Sequence, residues 1–148
     1  MLGRQSGGDA EDSNLILVDT SVWVTFFNRP RAAQAVHLRE LISAGSDLAI
    51  SDLILTEILQ GIREESVFEG VRRYLCDFPI FRPQGIATFV HAAHLYRRCH
   101  RMGFTVRKTI DCLIAAVAIE YGLELFHDDR DFAALARCTP LAIYRGRF

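Results

Sequence analysis

The stretch LILVDTSVWVTFF, Leu15 to Phe27, decides how the rest of the chain is read. Leu15 to Val18 is an unbroken apolar run, the pattern of a strand covered on both faces rather than one. Asp19-Thr20-Ser21 closes it, and Val22 to Phe27 reads as a short buried helix. A strand that passes directly into a helix belongs to a parallel sheet with helices on its faces. Open sheets of that kind bind ligands at the carboxyl ends of their strands, which is where Asp19 falls.

The alternation continues outward from this stretch. Ala35, Leu38, Leu41 and Ile42 keep helical spacing and predict a helix from Arg31 to Ala44, stopped by Gly45. Leu48 to Ile50 is a second short strand. Ser51 or Asp52 then caps a helix bearing Leu53, Ile54, Glu57, Ile58 and Leu59, ending near Gly61. Further helices are predicted from about Glu64 to Phe78 and from Gly85 to Arg101, with Ile80-Phe81 as a short strand between them. The second of these helices carries Phe89, Ala92, Ala93 and Tyr96 and is broken by Met102-Gly103. Thr109 to Tyr121 is the most hydrophobic helix, stopped by Gly122. Leu123 to Phe126 is a strand, Arg130 to Ala136 a short helix and Leu141 to Tyr144 a last strand. No hairpin signal such as Asn-Gly intervenes. The expected fold is a single α/β domain over residues 15–148, a central parallel sheet of four to five strands flanked by helices. Residues 1–14 (MLGRQSGGDAEDSN) lack apolar periodicity and are expected to be a disordered tail rather than a signal peptide.

Composition narrows the functional classes. The 148 residues are 50% hydrophobic, enough for a substantial core. With 17 basic and 18 acidic residues the net charge is −1, so any nucleic-acid site must come from local clustering. Cys76, Cys99, Cys112 and Cys138 show neither C-x-x-C pairing nor zinc-site spacing. No apolar run approaches the ~18 residues of a membrane span. A reduced, cytoplasmic protein with no membrane association is expected.

The acids carry the chemistry. Asp19 ends the first strand, Asp128 and Asp129 follow the strand Leu123 to Phe126, and Glu57 and Asp111 lie early in helices that face the same edge. Each has an ordinary explanation: Asp19 can cap a helix, Asp111 favours a helix dipole, and Asp128, Asp129 and Asp131 suit a turn. Glu57 is harder to explain this way, because Leu53, Ile54 and Ile58 set it beside a buried face. Carboxylates gathered at one edge repel and resist burial unless a cation joins them. Oxygen-only ligands suit Mg²⁺ or Mn²⁺.

The segments VDTSVW (Val18 to Trp23), LTEIL (Leu55 to Leu59), TIDCLIAAVA (Thr109 to Ala118) and LFHDDRDFAAL (Leu125 to Leu135) resemble, in order, the four acidic motifs of PIN domains. Their spacing is similar to that of the short prokaryotic VapC toxins, over about Leu15 to Tyr144. RRCHRMGFTVRKTIDCLIAA (Arg97 to Ala116) looks like one subgroup of mycobacterial-style VapC sequences. The resemblance implies an endoribonuclease using Mg²⁺ or Mn²⁺, acting as the toxin of a toxin–antitoxin pair on tRNA or ribosomal RNA. It implies homodimers, and inhibition by a VapB-type antitoxin whose C-terminal segment covers the acidic pocket. Asp19, Glu57 and Asp111 match the first three acids. The family's Asp-x-Asp-Phe matches Asp129-Arg130-Asp131-Phe132, making Asp129 the metal-site candidate and Asp131 its helper, with Asp128 as a neighbouring alternative. Ser21 would support Asp19. Glu57 would orient the attacking water, ligate a second metal or hold an outer-shell water.

Arg97, Arg98, His100, Arg101, Arg107 and Lys108 form the one concentrated basic stretch, leading into Asp111. Arg107, Lys108 and Arg101 are therefore the candidate RNA contacts, against the plainer reading of a solvated helix end. Two other acidic α/β enzyme or signalling classes fail on motif: a haloacid dehalogenase needs a second acid where Ser21 stands, and a receiver domain needs an acid pair after the first strand. A catalytically silent PIN fold kept for protein binding is the remaining alternative. Such a copy is expected to have lost an acid, and all four stand.

Overall fold

The structure, a computed structural model, describes residues 15–146 and Phe148; the tail expected over 1–14 lies outside the described residues. Twelve elements follow in order: β1 (Ile16–Val18), α1 (Thr20–Asn28), α2 (Ala33–Ser43), β2 (Leu48–Ser51), α3 (Asp52–Gln60), α4 (Glu65–Leu75), β3 (Ile80–Phe81), α5 (Ile86–Arg101), α6 (Thr109–Tyr121), β4 (Glu124–Phe126), α7 (Arg130–Cys138) and β5 (Ala142–Ile143). The expected alternation is present throughout, including the two-residue β3. Strands β1, β4 and β5 are shorter than the apolar runs that announced them, because Leu15, Leu123, Leu141 and Tyr144 flank the ladder rather than join it, while β2 runs one residue further than expected, to Ser51.

The five strands form one sheet in the order β3-β2-β1-β4-β5, every pair parallel. Strand β1 is central: Ile16 is in register with Leu48 on one side and with Glu124 on the other. The chain builds outward from β1 through β2 to β3, then returns across the sheet to lay β4 on the free edge of β1. That reversal opens a crevice at the carboxyl ends of β1 and β4, the usual ligand position in open α/β sheets. A backbone bond from Asp19 N–H to the Phe126 carbonyl (2.9 Å) carries the pairing up to the crevice.

Leu17, Val18, Ile50 and Leu125 are fully enclosed, as a sheet covered on both faces requires. Helix α6 is the central helix, with Ile114 to Ala118 all buried. Its alanines let α5 pack closely, and Gly122, at φ 67°, ends it in the left-handed conformation that glycine adopts without steric cost. Helix α5 buries the stripe Thr88, Ala92, Leu95 and Cys99, while Phe89 and Tyr96, each one residue further along, flank it and stay exposed. Thr88 and His91 both bond Glu120 of α6, at 2.7 Å each, and this polar clasp fixes which face turns inward.

All four cysteines are free thiols. Burial pushes the Cys99 thiol up to about 12 and Cys112 up to about 11, so both stay protonated and act as small apolar groups. Among the described residues no helix is long and apolar enough to cross a membrane.

Candidate metal centre

The crevice is an acidic cleft of about 130 Å³ lined by Asp19, Thr20, Ser21, Glu57, Lys108, Asp111 and Asp129. Three of the four acids come from the start of a helix, and Glu57 from further along one. Asp19 is the N-cap of α1, Glu57 lies in the second turn of α3, Asp111 in the first turn of α6, and Asp129 is the N-cap of α7. Helix N-termini carry partial positive charge, so the three that meet Asp19, Asp111 and Asp129 offset part of the repulsion among the acids.

Asp19 is 3% exposed and rigidly held. Its Oδ2 accepts from the Ser21 N–H (3.0 Å) and from the Ser21 hydroxyl (2.7 Å). The same Ser21 Oγ accepts from the Asp128 N–H (2.9 Å), tying the start of α1 to the turn after β4. Glu57 is oriented by Thr20, whose hydroxyl donates to its Oε1 at 2.7 Å. Sequence reading missed Thr20, although its place between Asp19 and Ser21 was on view; only the crossing of α1 and α3 reveals its partner. Asp128 itself is exposed and meets the cleft through its backbone.

Asp111 is the outlier. It is 3% exposed, and its Oδ2 has no hydrogen-bond partner among the described residues. Burial, then the nearby Asp129 and Asp19, push its carboxyl up to about 7, with Lys108 opposing the rise. Burial also raises Asp19 and Glu57, against the hydrogen bonds from Ser21 and Thr20 respectively. A buried, unpartnered carboxylate among other acids is costly for the protein alone and favourable for a cation. All the donors are oxygens, which fits a hard divalent ion.

Asp111, Asp129 and Asp131 place carboxylate oxygens within 4.8 Å of one another. Asp131 differs from the other two in its partner: Arg107 Nε reaches both its oxygens at 3.2 Å. Arg107 also stands 4.0 Å from Asp129. Arg107 was expected to face RNA; one edge of its guanidinium is instead engaged with this acid. Lys108 lies inside the cleft, and Arg101 is exposed at the end of α5. His127 is structural: its Nδ1 accepts from the Asp129 N–H (3.0 Å), and burial lowers its pKa, favouring the neutral ring with its proton on Nε2.

The PIN domain family profile matches residues 16–137, a span holding all of these acids. Ribonuclease VapC11 of Mycobacterium tuberculosis is 38% identical over 128 residues, covering 86% of this chain and 96% of that protein. Ribonuclease VapC19 of the same species is 36% identical over 115 residues, covering 74% and 84%. Among solved structures, VapBC2 from Rickettsia felis bound to a promoter DNA fragment superposes with a TM-score of 0.70 at 18% identity, covering 88% of this chain and 97% of the other. Sarcin-ricin loop cleaving VapC20 of M. tuberculosis gives 0.59 at 18%, covering 86% and 98%. At these identities the structural likeness is one of fold, while the sequence matches extend over nearly the whole length of the relatives. With the sheet order, the four acids at one edge of the sheet and the matched span in agreement, the chain belongs to the PIN-domain family, in its VapC group.

Proposed function

We propose that this protein is a divalent-metal-dependent endoribonuclease acting as the toxin of a VapBC-type pair. The observation that carries the metal dependence is Asp111: a nearly enclosed carboxylate with a free oxygen, facing Asp19 and Asp129. Asp19, Asp111 and Asp129 would hold Mg²⁺ or Mn²⁺, with Glu57 beside them. When bound, the ion supplies charge neutralisation at the scissile phosphate and a more acidic water.

The chain's own groups do the rest. Ser21 locks the Asp19 carboxylate, and Thr20 aims Glu57 across the cleft to orient the attacking water. Lys108 is the cation placed to hold a phosphate in an otherwise acidic pocket. Attack in line would leave 5′-phosphate and 3′-hydroxyl ends. Asp131, held by Arg107, serves as a support for Asp129 rather than as a further ligand. Arg101 and the open face of Arg107 remain candidate RNA contacts at the rim.

Two apolar surfaces suit the expected protein partners. A groove of about 470 Å³ between α1, α3 and α4, lined by Val24, Phe27, Ile58, Ile62 and Val67, runs up to Glu57 and suits the antitoxin's C-terminal segment. The exposed face of α5, with Ile86, Phe89, Val90 and Tyr96, suits a homodimer. The RNA is expected to be tRNA or ribosomal RNA.

The test is cleavage of total RNA by purified, antitoxin-free protein with Mn²⁺ or Mg²⁺ against EDTA. Discrete fragments that need the metal are expected. Folded, metal-loaded protein that leaves tRNA and ribosomal RNA intact would move the reading to a silent binding module. Ser21→Ala frees one oxygen of Asp19 and is expected to weaken metal affinity or activity about 10–100-fold. A Mn²⁺ titration of that variant matching wild type would remove Ser21 from the site.

A further inference from the structure

A second groove, about 470 Å³, lies beside the acidic cleft and shares with the site above only Arg107 and Asp131. One wall is α7, where Arg130, Ala133, Ala134 and Arg137 recur at helical spacing on one face. Two arginines thus flank an alanine floor, roughly 10 Å apart along the helix axis. The other wall is the segment between α5 and α6, with Phe104, Thr105 and Arg107. The Arg137 guanidinium stacks over the Phe104 ring, 5.1 Å from its centroid, which holds it across the groove.

Charge decides what the groove takes. Arg130 and Arg137 are exposed and form no ion pair among the described residues. The lining acid, Asp131, is already covered by Arg107. The surface presented is therefore cationic, with a flat small-residue floor and an aromatic–guanidinium stack at one end. A cationic groove that tracks the backbone is how single-stranded nucleic acid is held without base-specific bonds. Asp131 and Arg107 form the partition between this groove and Asp129, so a strand lying in one reaches the other.

We propose that this groove is a phosphate track for single-stranded RNA. Arg130 and Arg137 take backbone phosphates along α7, and the strand continues past Arg107 into the acidic cleft. The proposal rests on the nuclease reading and extends it to residues outside the acidic motifs' chemistry.

The test is fluorescence anisotropy of a short labelled single-stranded RNA of mixed sequence, titrated in EDTA with wild-type protein across a series of salt concentrations. Arg130→Gln/Arg137→Gln is expected to bind about tenfold more weakly, with the salt slope reduced by about 1.4 for two lost contacts. Arg130→Lys/Arg137→Lys keeps the charges and is expected to keep the slope. Arg31→Gln/Arg73→Gln, matched in charge but outside the groove, is expected to behave as wild type. With Mn²⁺, the groove variant is expected to raise KM and retain kcat. Wild-type affinity and slope in Arg130→Gln/Arg137→Gln, with Mn²⁺-dependent cleavage intact, would overturn the track alone. If that variant binds RNA normally but releases a co-expressed antitoxin, the groove is a protein site and the track is again overturned. Wild-type protein that neither binds RNA nor cleaves total RNA with Mn²⁺ would overturn both readings.

Discussion

Asp111→Asn is expected to lower RNA cleavage on the order of 10³-fold while making the metal-free protein more stable. Asparagine keeps the shape of a side chain that is 3% exposed and removes a charge pressed against Asp129 and Asp19. In EDTA the variant is expected to melt a few degrees higher, since about 1 kcal/mol is worth roughly 2–4 °C in a domain near this size. Added Mn²⁺ reverses the order. Wild type gains about 2.7 kcal/mol at a hundredfold excess over Kd, and the variant gains little. The pH dependence follows from burial and the neighbouring acids pushing this carboxyl up to about 7, above the ordinary aspartate value of 3.8. Between those values the folded state holds more protons than the unfolded one, so metal-free wild type loses stability as pH rises toward 7 and levels off above it. The asparagine variant lacks that contribution. Differential scanning fluorimetry with and without Mn²⁺ checks every part, and a metal-free variant less stable than wild type would show that Asp111 is a structural group.

Trp23→Ala is the largest expected loss of stability, about 3–5 kcal/mol, or roughly 10–15 °C by thermal circular dichroism. The indole is fully buried and packs against Phe26, Phe27, Tyr74 and Phe78, so its removal leaves a cavity bounded by rings from α1, α4 and the segment after it. Trp23→Phe is expected to cost much less. It keeps a ring in place and removes an indole N–H that has no partner among the described residues. Trp23 also anchors the helix that begins with Asp19, Thr20 and Ser21, so the folded fraction of the alanine variant is expected to bind Mn²⁺ more weakly. A loss below about 1 kcal/mol would place the stabilising core elsewhere.

The fold was legible because its signals are local. LILV at residues 15–18 and the all-round apolar helix 109–121 announce burial on both sides, and the latter's glycine stop was visible at Gly122. The acids at strand ends and early in helices were legible for the same reason, since parallel topology sends those positions to one edge. Side-chain partnerships across elements were not legible. Thr20 meets Glu57, and Thr88 and His91 meet Glu120, only through helix crossings that periodicity does not encode. Arg107 illustrates the limit best. Its place in a basic run suggested a free cation, yet a neighbouring helix start brings Asp131 onto it.

The placement of β4 between β1 and β5 bears on when this protein becomes dangerous to the cell that makes it. Asp19 emerges early in synthesis and Asp129 late, and they share a cleft only after Leu125 and Phe126 have docked against Leu17 and Val18. Any fragment that stops short of β4 carries the first three acids without the fourth, and without the strand that sets their spacing. Translation that aborts before β4, or proteolysis that removes it, is therefore expected to yield products without the complete acidic cleft. A poison assembled by its own last steps leaves an antitoxin the whole of synthesis in which to arrive.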